Sequence, residues 1–186
     1  MPAYHSIFEQ EADVRVIGNF AMLPLRTRTR GPAYMLPALP GGTSDLEIDP
    51  DSESYDALDE VLSLFRANTF FRNFEIKGPA DRLLIYGILF VSECLGKIRA
   101  NMGSRDAEKA VMATALDQFA IPGDPAFPLN QSYEAPHNKN DAETLRQYLS
   151  QVRQELAIRL LARIYAGGNT PSKVGLTLPS SVEAPR

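Results

Sequence analysis

The feature that most constrains this chain is an apolar run from Leu83 to Val91, inside the stretch 70–95. In a helix, this run leaves no polar face, so the helix must be enclosed by other helices or by lipid. The run ends after nine residues, at Ser92 and Glu93, whereas a membrane span needs about 20 apolar residues. The sequence therefore predicts a central helix surrounded by its neighbours, and no membrane span.

Leu89 lies near the middle of this run, and we expect its side chain to be buried. Truncation of a buried leucine to alanine costs about 2–5 kcal/mol of stability. We therefore expect a loss of that size for Leu89→Ala, and an exposed Leu89 would contradict a fully enclosed helix.

Composition and charge place the chain among soluble globular proteins. A length of 186 residues predicts one domain, and 44% hydrophobic with 23% charged residues is ordinary for such a fold. The net charge of −4 gives no electrostatic case for nucleic acid. Cys94 is the single cysteine, and the N-terminus lacks the basic and apolar regions of a signal peptide. Both features predict a reducing, cytosolic setting.

The pattern of apolar residues, caps and breakers predicts an all-α fold with long proline-rich connectors. Four helices are expected, with approximate bounds from Asp49-Pro50, from Gly78-Pro79 to Arg99, from Ser104 to Phe119, and from Asn140 to Ala166. Residues 1–173 are expected to form one small helical domain, in which 1–48 is an irregular arm and loop. Residues 174–186 are expected to form a loose tail.

The search for chemistry predicts no catalytic, metal or cofactor site. His5 and His137 lie in separate irregular segments without a cluster of further ligands, and Cys94 on an apolar helix is expected to be a buried, inert thiol. An alternative stays open: a small helical enzyme with an acid–base site in the connector 120–138. It would depend on His137 with Tyr133 and Glu134.

Three arginines are the strongest candidates for a charged protein contact. Arg26, Arg28 and Arg30 alternate with threonines and would share one face of an extended segment. One interpretation is a solvated strand edge, and the other is a docking site for an acidic protein surface.

Two phenylalanines are candidates for an apolar contact. Phe71 belongs to a dense aromatic cluster that exceeds what one helix face needs, so part of it is expected either in the core or against a partner. Phe127 lies between Pro125 and Pro128 in a connector of unusual length. A stiff apolar side chain of this kind suits a protein contact better than catalysis.

Long blocks of the chain resemble a known family. The matching blocks are MPAYHS (1–6), GNFAMLPL (18–25), RGPA (30–33), LFRANTFFRNFEIKGPADRLLIYGILFVSECL (64–95), IPGDPAFPLN (121–130), LRQYLSQVRQEL (145–156), RL (159–160) and PSK (171–173). They resemble subunit 3 of the actin-related protein 2/3 complex, and most closely its fungal members. The resemblance covers nearly the whole chain as far as Lys173.

The resemblance implies a non-catalytic structural subunit with an all-helical fold around one central helix. Its implied partners are the other six subunits, chiefly the larger actin-related subunit, and the side of an actin filament on which a branch is nucleated. It implies no cofactor for this subunit, since ATP binds the actin-related subunits. The implied location is the cytoplasm and its cortical actin patches.

The chain departs from the family pattern in two places. After Lys173 the family usually continues with tryptophans and a basic, aromatic tail, whereas this chain reads VGLTLPSSVEAPR. The segment 35–50 is longer than in many relatives, which predicts an insertion in an exposed loop.

Overall fold

The computed structural model describes residues 4–43, 46, 48–69 and 75–172. A short 3-10 helix (Ile7–Gln10) is followed by β1 (Val16–Ile17), β2 (Phe20–Ala21), α1 (Ala57–Thr69), α2 (Pro79–Lys97), α3 (Ser104–Leu116) and α4 (Lys139–Ile164). The two strands form one antiparallel hairpin, in which Val16 pairs with Ala21. The prediction of a mainly helical chain is confirmed, although an all-α fold left out this hairpin.

The start of α1 is set by two aspartates. The Asp56 carboxylate accepts the backbone N–H groups of Leu58 and Asp59, while the Asp59 carboxylate accepts the N–H of Asp56. This is a reciprocal capping box with aspartate in place of the usual glutamate. Residues 49–55 form turns instead of helix. The predicted start near Asp49-Pro50 is therefore wrong.

Helix α2 contacts α1, α3, α4 and the hairpin. Gly87 allows the close approach of α1, because a Cβ there would lie 2.6 Å from a Val61 methyl group. These contacts support the predicted central position of α2 without establishing that it is surrounded. None of the described helices, α2 included, has the apolar length to cross a membrane.

The complete enclosure of α2 is not confirmed. One stripe of the helix, including Leu89, Ser92 and Gly96, faces outward, and Leu89 is 44% exposed. The prediction of a buried Leu89 is wrong, because an all-apolar run does not reveal which helix face lacks a neighbour.

Helix α4 is enclosed along its middle part. From Tyr148 to Ala157 no residue of α4 is exposed, and the Tyr148 hydroxyl donates to the buried Leu23 carbonyl at 2.7 Å. The helix begins after Asn138, whose side chain accepts the Asp141 N–H at 2.8 Å. The cap predicted at Asn140 is therefore two residues late.

The proline-rich connector before α4 is pinned to the core by aromatic rings. Phe127 stacks on Tyr86 with 6.4 Å between ring centroids and meets Tyr133 edge-on at 5.3 Å. The Tyr133 hydroxyl donates to the Arg82 carbonyl at 2.6 Å. These contacts confirm that the connector packs on the body.

A matched pair of truncations tests the orientation of α2. Leu84 is 1% exposed, whereas Leu89 on the same helix is 44% exposed. We expect Leu84→Ala to cost about 2–5 kcal/mol in free energy of unfolding, and Leu89→Ala to cost about 1 kcal/mol or less. Denaturant unfolding of both variants measures this, and equal losses would contradict the orientation.

Candidate protein-interaction surface

The candidate surface lies on segment 26–33, which three polar side chains of α4 hold against the helix. Gln151, Glu155 and Arg159 are spaced four residues apart, so they lie on one face of α4. Each of them bonds to the segment, and together they determine where its exposed residues lie.

Gln151 anchors the far end of the segment. Its fully buried amide accepts the Ala33 N–H at 2.9 Å and donates to the Thr29 carbonyl at 2.8 Å. Gly31 is required here, because a Cβ would lie 2.3 Å from the Gln151 side chain. A buried amide with both ends bonded costs little and specifies one register of the segment.

Arg159 anchors the near end through a buried ion cluster. Its guanidinium bonds both oxygens of Asp56, at 2.6 and 2.7 Å, and one oxygen of Asp59 at 3.0 Å. Its Nε–H donates to Glu155, four residues earlier on α4, at 3.0 Å, and the guanidinium also donates to the Arg26 carbonyl. A planar guanidinium is suited to this fork-on-fork geometry.

Arg26 completes the cluster and is therefore occupied within the chain. Its guanidinium bonds Asp59 at 2.8 and 3.1 Å, and its backbone N–H donates to Asp56 at 2.8 Å. Only 12% of the Arg26 side chain is exposed. Little of it is left to offer a partner.

The two aspartates of the cluster have pKa values shifted in opposite directions. Burial alone would raise the pKa of Asp56, but the hydrogen bonds and charge of Arg159 outweigh burial and hold it below its ordinary value. Burial raises the pKa of Asp59, and the neighbouring Asp56 charge adds to this against the opposing bond from Arg26. Asp56 therefore stays ionised to a lower pH than Asp59 does.

Arg28 and Arg30 point outward from this anchored segment. Both are exposed, whereas Thr27 turns toward α4 and its hydroxyl donates to Glu155 at 3.0 Å. The predicted common face for all three arginines does not form, because the chain bends at Arg28 and Thr29 instead of continuing as a strand. Two exposed guanidinium groups on a fixed backbone suit contact with an acidic protein surface.

Of the two phenylalanines predicted to contact a partner, the structure describes Phe127. Phe127 is 5% exposed and belongs to the aromatic core, so it has little surface for a partner in this structure. Phe71 lies outside the described residues, and its role stays a prediction.

A second polar cluster fixes the N-terminal end of the chain. The buried Asp81 carboxylate accepts the Ser6 N–H at 2.7 Å and bonds a ring nitrogen of His5 at 2.7 Å. Glu9 in turn accepts the Asp81 N–H at 2.6 Å, which caps the first turn of α2 from another segment. His5 is thus an anchoring residue of the arm.

The residues named for an acid–base site are poorly suited to one. The Tyr133 proton is directed at the Arg82 carbonyl, and burial raises the Tyr133 pKa, while His137 is exposed. Burial also raises the pKa of the Cys94 thiol to about 12, which makes it a weak nucleophile. Across the part of the chain that the structure describes, no group of three His, Cys, Asp or Glu side chains could hold a metal.

Sequence reasoning missed the ion cluster, although two signals were present. Asp56 and Asp59 have the spacing of a capping box directly before an apolar stripe. Gln151, Glu155 and Arg159 put three polar residues on one line of α4. Neither signal identifies the cluster by itself, because a single sequence does not show that the arm covers these residues.

Comparison with known proteins gives a consistent match. A family model described as "P21-Arc: ARP2/3 complex ARPC3 (21 kDa) subunit" matches residues 1–179. The chain is 54% identical over 166 residues to "Actin-related protein 2/3 complex subunit 3" of Schizosaccharomyces pombe, covering 89% of this chain and 87% of the relative. It is 47% identical over 181 residues to the protein of the same name in Saccharomyces cerevisiae, covering 95% and 93%. The Dictyostelium discoideum protein of that name is 47% identical over 164 residues, covering 88% and 86%.

Replacement of Asp56 tests the ion cluster. Asparagine is as good a helix N-cap as aspartate, so Asp56→Asn keeps the cap. It removes the charge that compensates Arg159 and replaces the oxygen that accepts from Arg26 and Arg159 with an NH2 donor. We expect a loss of about 3–5 kcal/mol in free energy of unfolding, as for other broken buried pairs. The exposed Asp51→Asn is the control and should change stability by no more than about 0.5 kcal/mol.

The same pair of variants should differ in pH dependence. Because the folded-state pKa of Asp56 is depressed, its contribution is complete above the unfolded pKa of about 3.9 and is lost as the pH falls through the folded value. The wild-type and Asp51→Asn proteins should therefore lose stability in this acid range more steeply than Asp56→Asn. Parallel curves for all three would contradict the assignment.

Proposed function

Because this chain belongs to the family of the ARPC3 (21 kDa) subunit of the ARP2/3 complex, we propose that it is a non-catalytic structural subunit of that complex. The observation that carries the proposal is the match of the family model to residues 1–179. Fungal relatives named subunit 3 of that complex, at 54% and 47% identity over most of both chains, support it.

The bonds between the arm and the helices support a structural role. Buried charges such as Arg159, Asp56 and Asp59 are engaged in bonds that fasten the arm to the helices. A body fixed in this way loses little further conformational freedom on assembly, which favours tight binding.

The partners we propose are the other six subunits, chiefly the larger actin-related subunit, and the side of an actin filament. In this role the chain supports nucleation of branched filaments at cortical actin patches in the cytoplasm. Arg28 and Arg30 are the residues we propose for a contact with an acidic surface, because they are exposed on an anchored segment. No specific observation favours the alternative of an enzyme with a site in 120–138.

Purification of the tagged chain from its own cells tests the proposal. We expect the other six subunits to be recovered with it, and no hydrolase or transferase activity to belong to the chain itself. Recovery of the chain only as a free monomer would contradict the proposed function.

The arginine contact is tested by Arg28→Glu in the full-length chain. The exposed position predicts an unchanged free energy of unfolding, to within about 0.5 kcal/mol, together with weaker subunit recovery or weaker filament binding. Lys109→Glu, on the exposed part of α3, gives the matched change of charge. If assembly and filament binding both stay at the wild-type level, Arg28 belongs to a solvated surface instead.

A further inference from the structure

Exposed apolar side chains concentrate in the N-terminal quarter of the chain. Among the described residues, the large hydrophobic side chains that are exposed are Tyr4, Ile7, Val16, Tyr34, Met35 and Leu46 in this region, and Leu89, Leu116 and Ile158 elsewhere. Single exposed apolar residues are normal on soluble proteins, whereas groups of them with a polar rim mark protein contacts. The exposed apolar side chains of Ile7 and Val16 are therefore candidates for a protein contact.

Two cavities that share lining residues lie along the 3-10 helix. The first holds about 260 Å³ and is lined by Ile7, Leu36 and Tyr55, among others. The second holds about 160 Å³ and is lined by Val14 and Val16, among others. Both cavities share Phe8 and Glu11. We call the two together the N-terminal cleft.

The segment that forms the N-terminal cleft is fixed to the rest of the chain. The Phe8 ring stacks on Tyr55 with 6.2 Å between centroids and 17° between planes. The Ile7 N–H donates to the buried Glu60 carboxylate at 2.9 Å. Tyr4 exchanges two hydrogen bonds of 3.0 Å with the Asn68 side chain. The cleft is therefore formed before any partner binds.

The charge of the N-terminal cleft has one sign. The charged residues among those that line it are Glu9, Glu11, Asp13 and Glu53, and lysine and arginine do not occur in that lining. Glu9 is bonded to the first turn of α2, whereas Glu11, Asp13 and Glu53 are exposed.

The division of the N-terminal cleft into two small parts suits the side chains of a protein segment. Each part alone is below the range of about 300–1,000 Å³ that drug-sized ligands occupy. A cavity of about 260 Å³ with a neighbour of about 160 Å³ matches side chains of an extended or helical segment that enter side by side. The acidic rim then selects a segment with lysine or arginine beside its apolar residue.

We propose that the N-terminal cleft docks a segment of another subunit of the same complex, in which an apolar side chain is flanked by lysine or arginine. The apolar side chain enters beside Ile7 and Phe8, and the basic groups lie against Glu11 and Glu53. This inference rests on the proposed function. It adds an acidic contact that is separate in chemistry from Arg28 and Arg30.

Charge reversal in the full-length chain tests the proposal in cells that lack the wild-type copy. Glu11→Lys/Glu53→Lys places like charges against the basic segment, so we expect at least about a tenfold loss in recovery of the other subunits. Glu108→Lys/Glu143→Lys, at exposed positions on α3 and α4, changes the net charge equally and should recover them at the wild-type level. Ile7→Ala removes the apolar contact alone and should also reduce recovery.

Several outcomes would overturn the proposal. One is full recovery with Glu11→Lys/Glu53→Lys, and another is an equal loss with the control pair, which would reflect net charge. A complex of normal composition that binds filaments weakly would assign the cleft to actin and not to a subunit. Thermal unfolding of each purified chain identifies any loss of subunit recovery that is due to misfolding. If the charge-reversed chain is misfolded, the recovery measured with Ile7→Ala decides whether the cleft binds a subunit. If the wild-type chain itself recovers no subunits, the proposed function fails before the cleft is tested.

Discussion

The fold depends on one buried cation, the Arg159 guanidinium, and on the anions gathered around it. A buried charge without a partner costs several kcal/mol, so Arg159 can occupy this position only while Asp56 and Asp59 are in place. Those aspartates also cap α1, and they bind the backbone and side chain of Arg26. One cluster thus connects α4, the start of α1 and the N-terminal arm. Movement of any of these three elements would leave a buried charge without its partner.

Much of the helical framework was predictable from local rules. Gly78-Pro79 begins α2, and the glycines after Ile164 end α4, because such breakers act within a few residues of where they stand. The capping-box spacing of Asp56 and Asp59 marks the start of α1 by the same kind of local rule. The exposure of Leu89 was not predictable, since it depends on which distant segment covers a helix face. The inward turn of Arg26 was not predictable either. Arg26 turns inward to bond Asp56 and Asp59, and the local sequence does not show that these carboxylates are buried.

The candidate surfaces divide in a similar way. Alternating arginines drew attention to segment 26–33, but only the packing of Gln151 and Glu155 separates the exposed Arg28 from the occupied Arg26. Nothing in the sequence near Glu11 predicts a cleft, because its walls come from separate segments of the chain. Segment 26–33 exposes positive charge, whereas the N-terminal cleft exposes negative charge. Opposite charges on two surfaces favour different partners at each of them. Phe71 and the residues after Ser172 lie outside the described residues, so their predicted roles stay open.

Native-state amide hydrogen exchange at Arg26 and Ala33 tests the central claim most directly. The Arg26 N–H donates to Asp56 and the Ala33 N–H donates to Gln151, so each reports on one end of the anchored segment. If the buried cluster holds the arm to α4, both amides should exchange as slowly as those in the middle of α4, by opening with the whole fold. Exchange at the rate of an exposed loop would show that the arm detaches on its own, and would contradict the account.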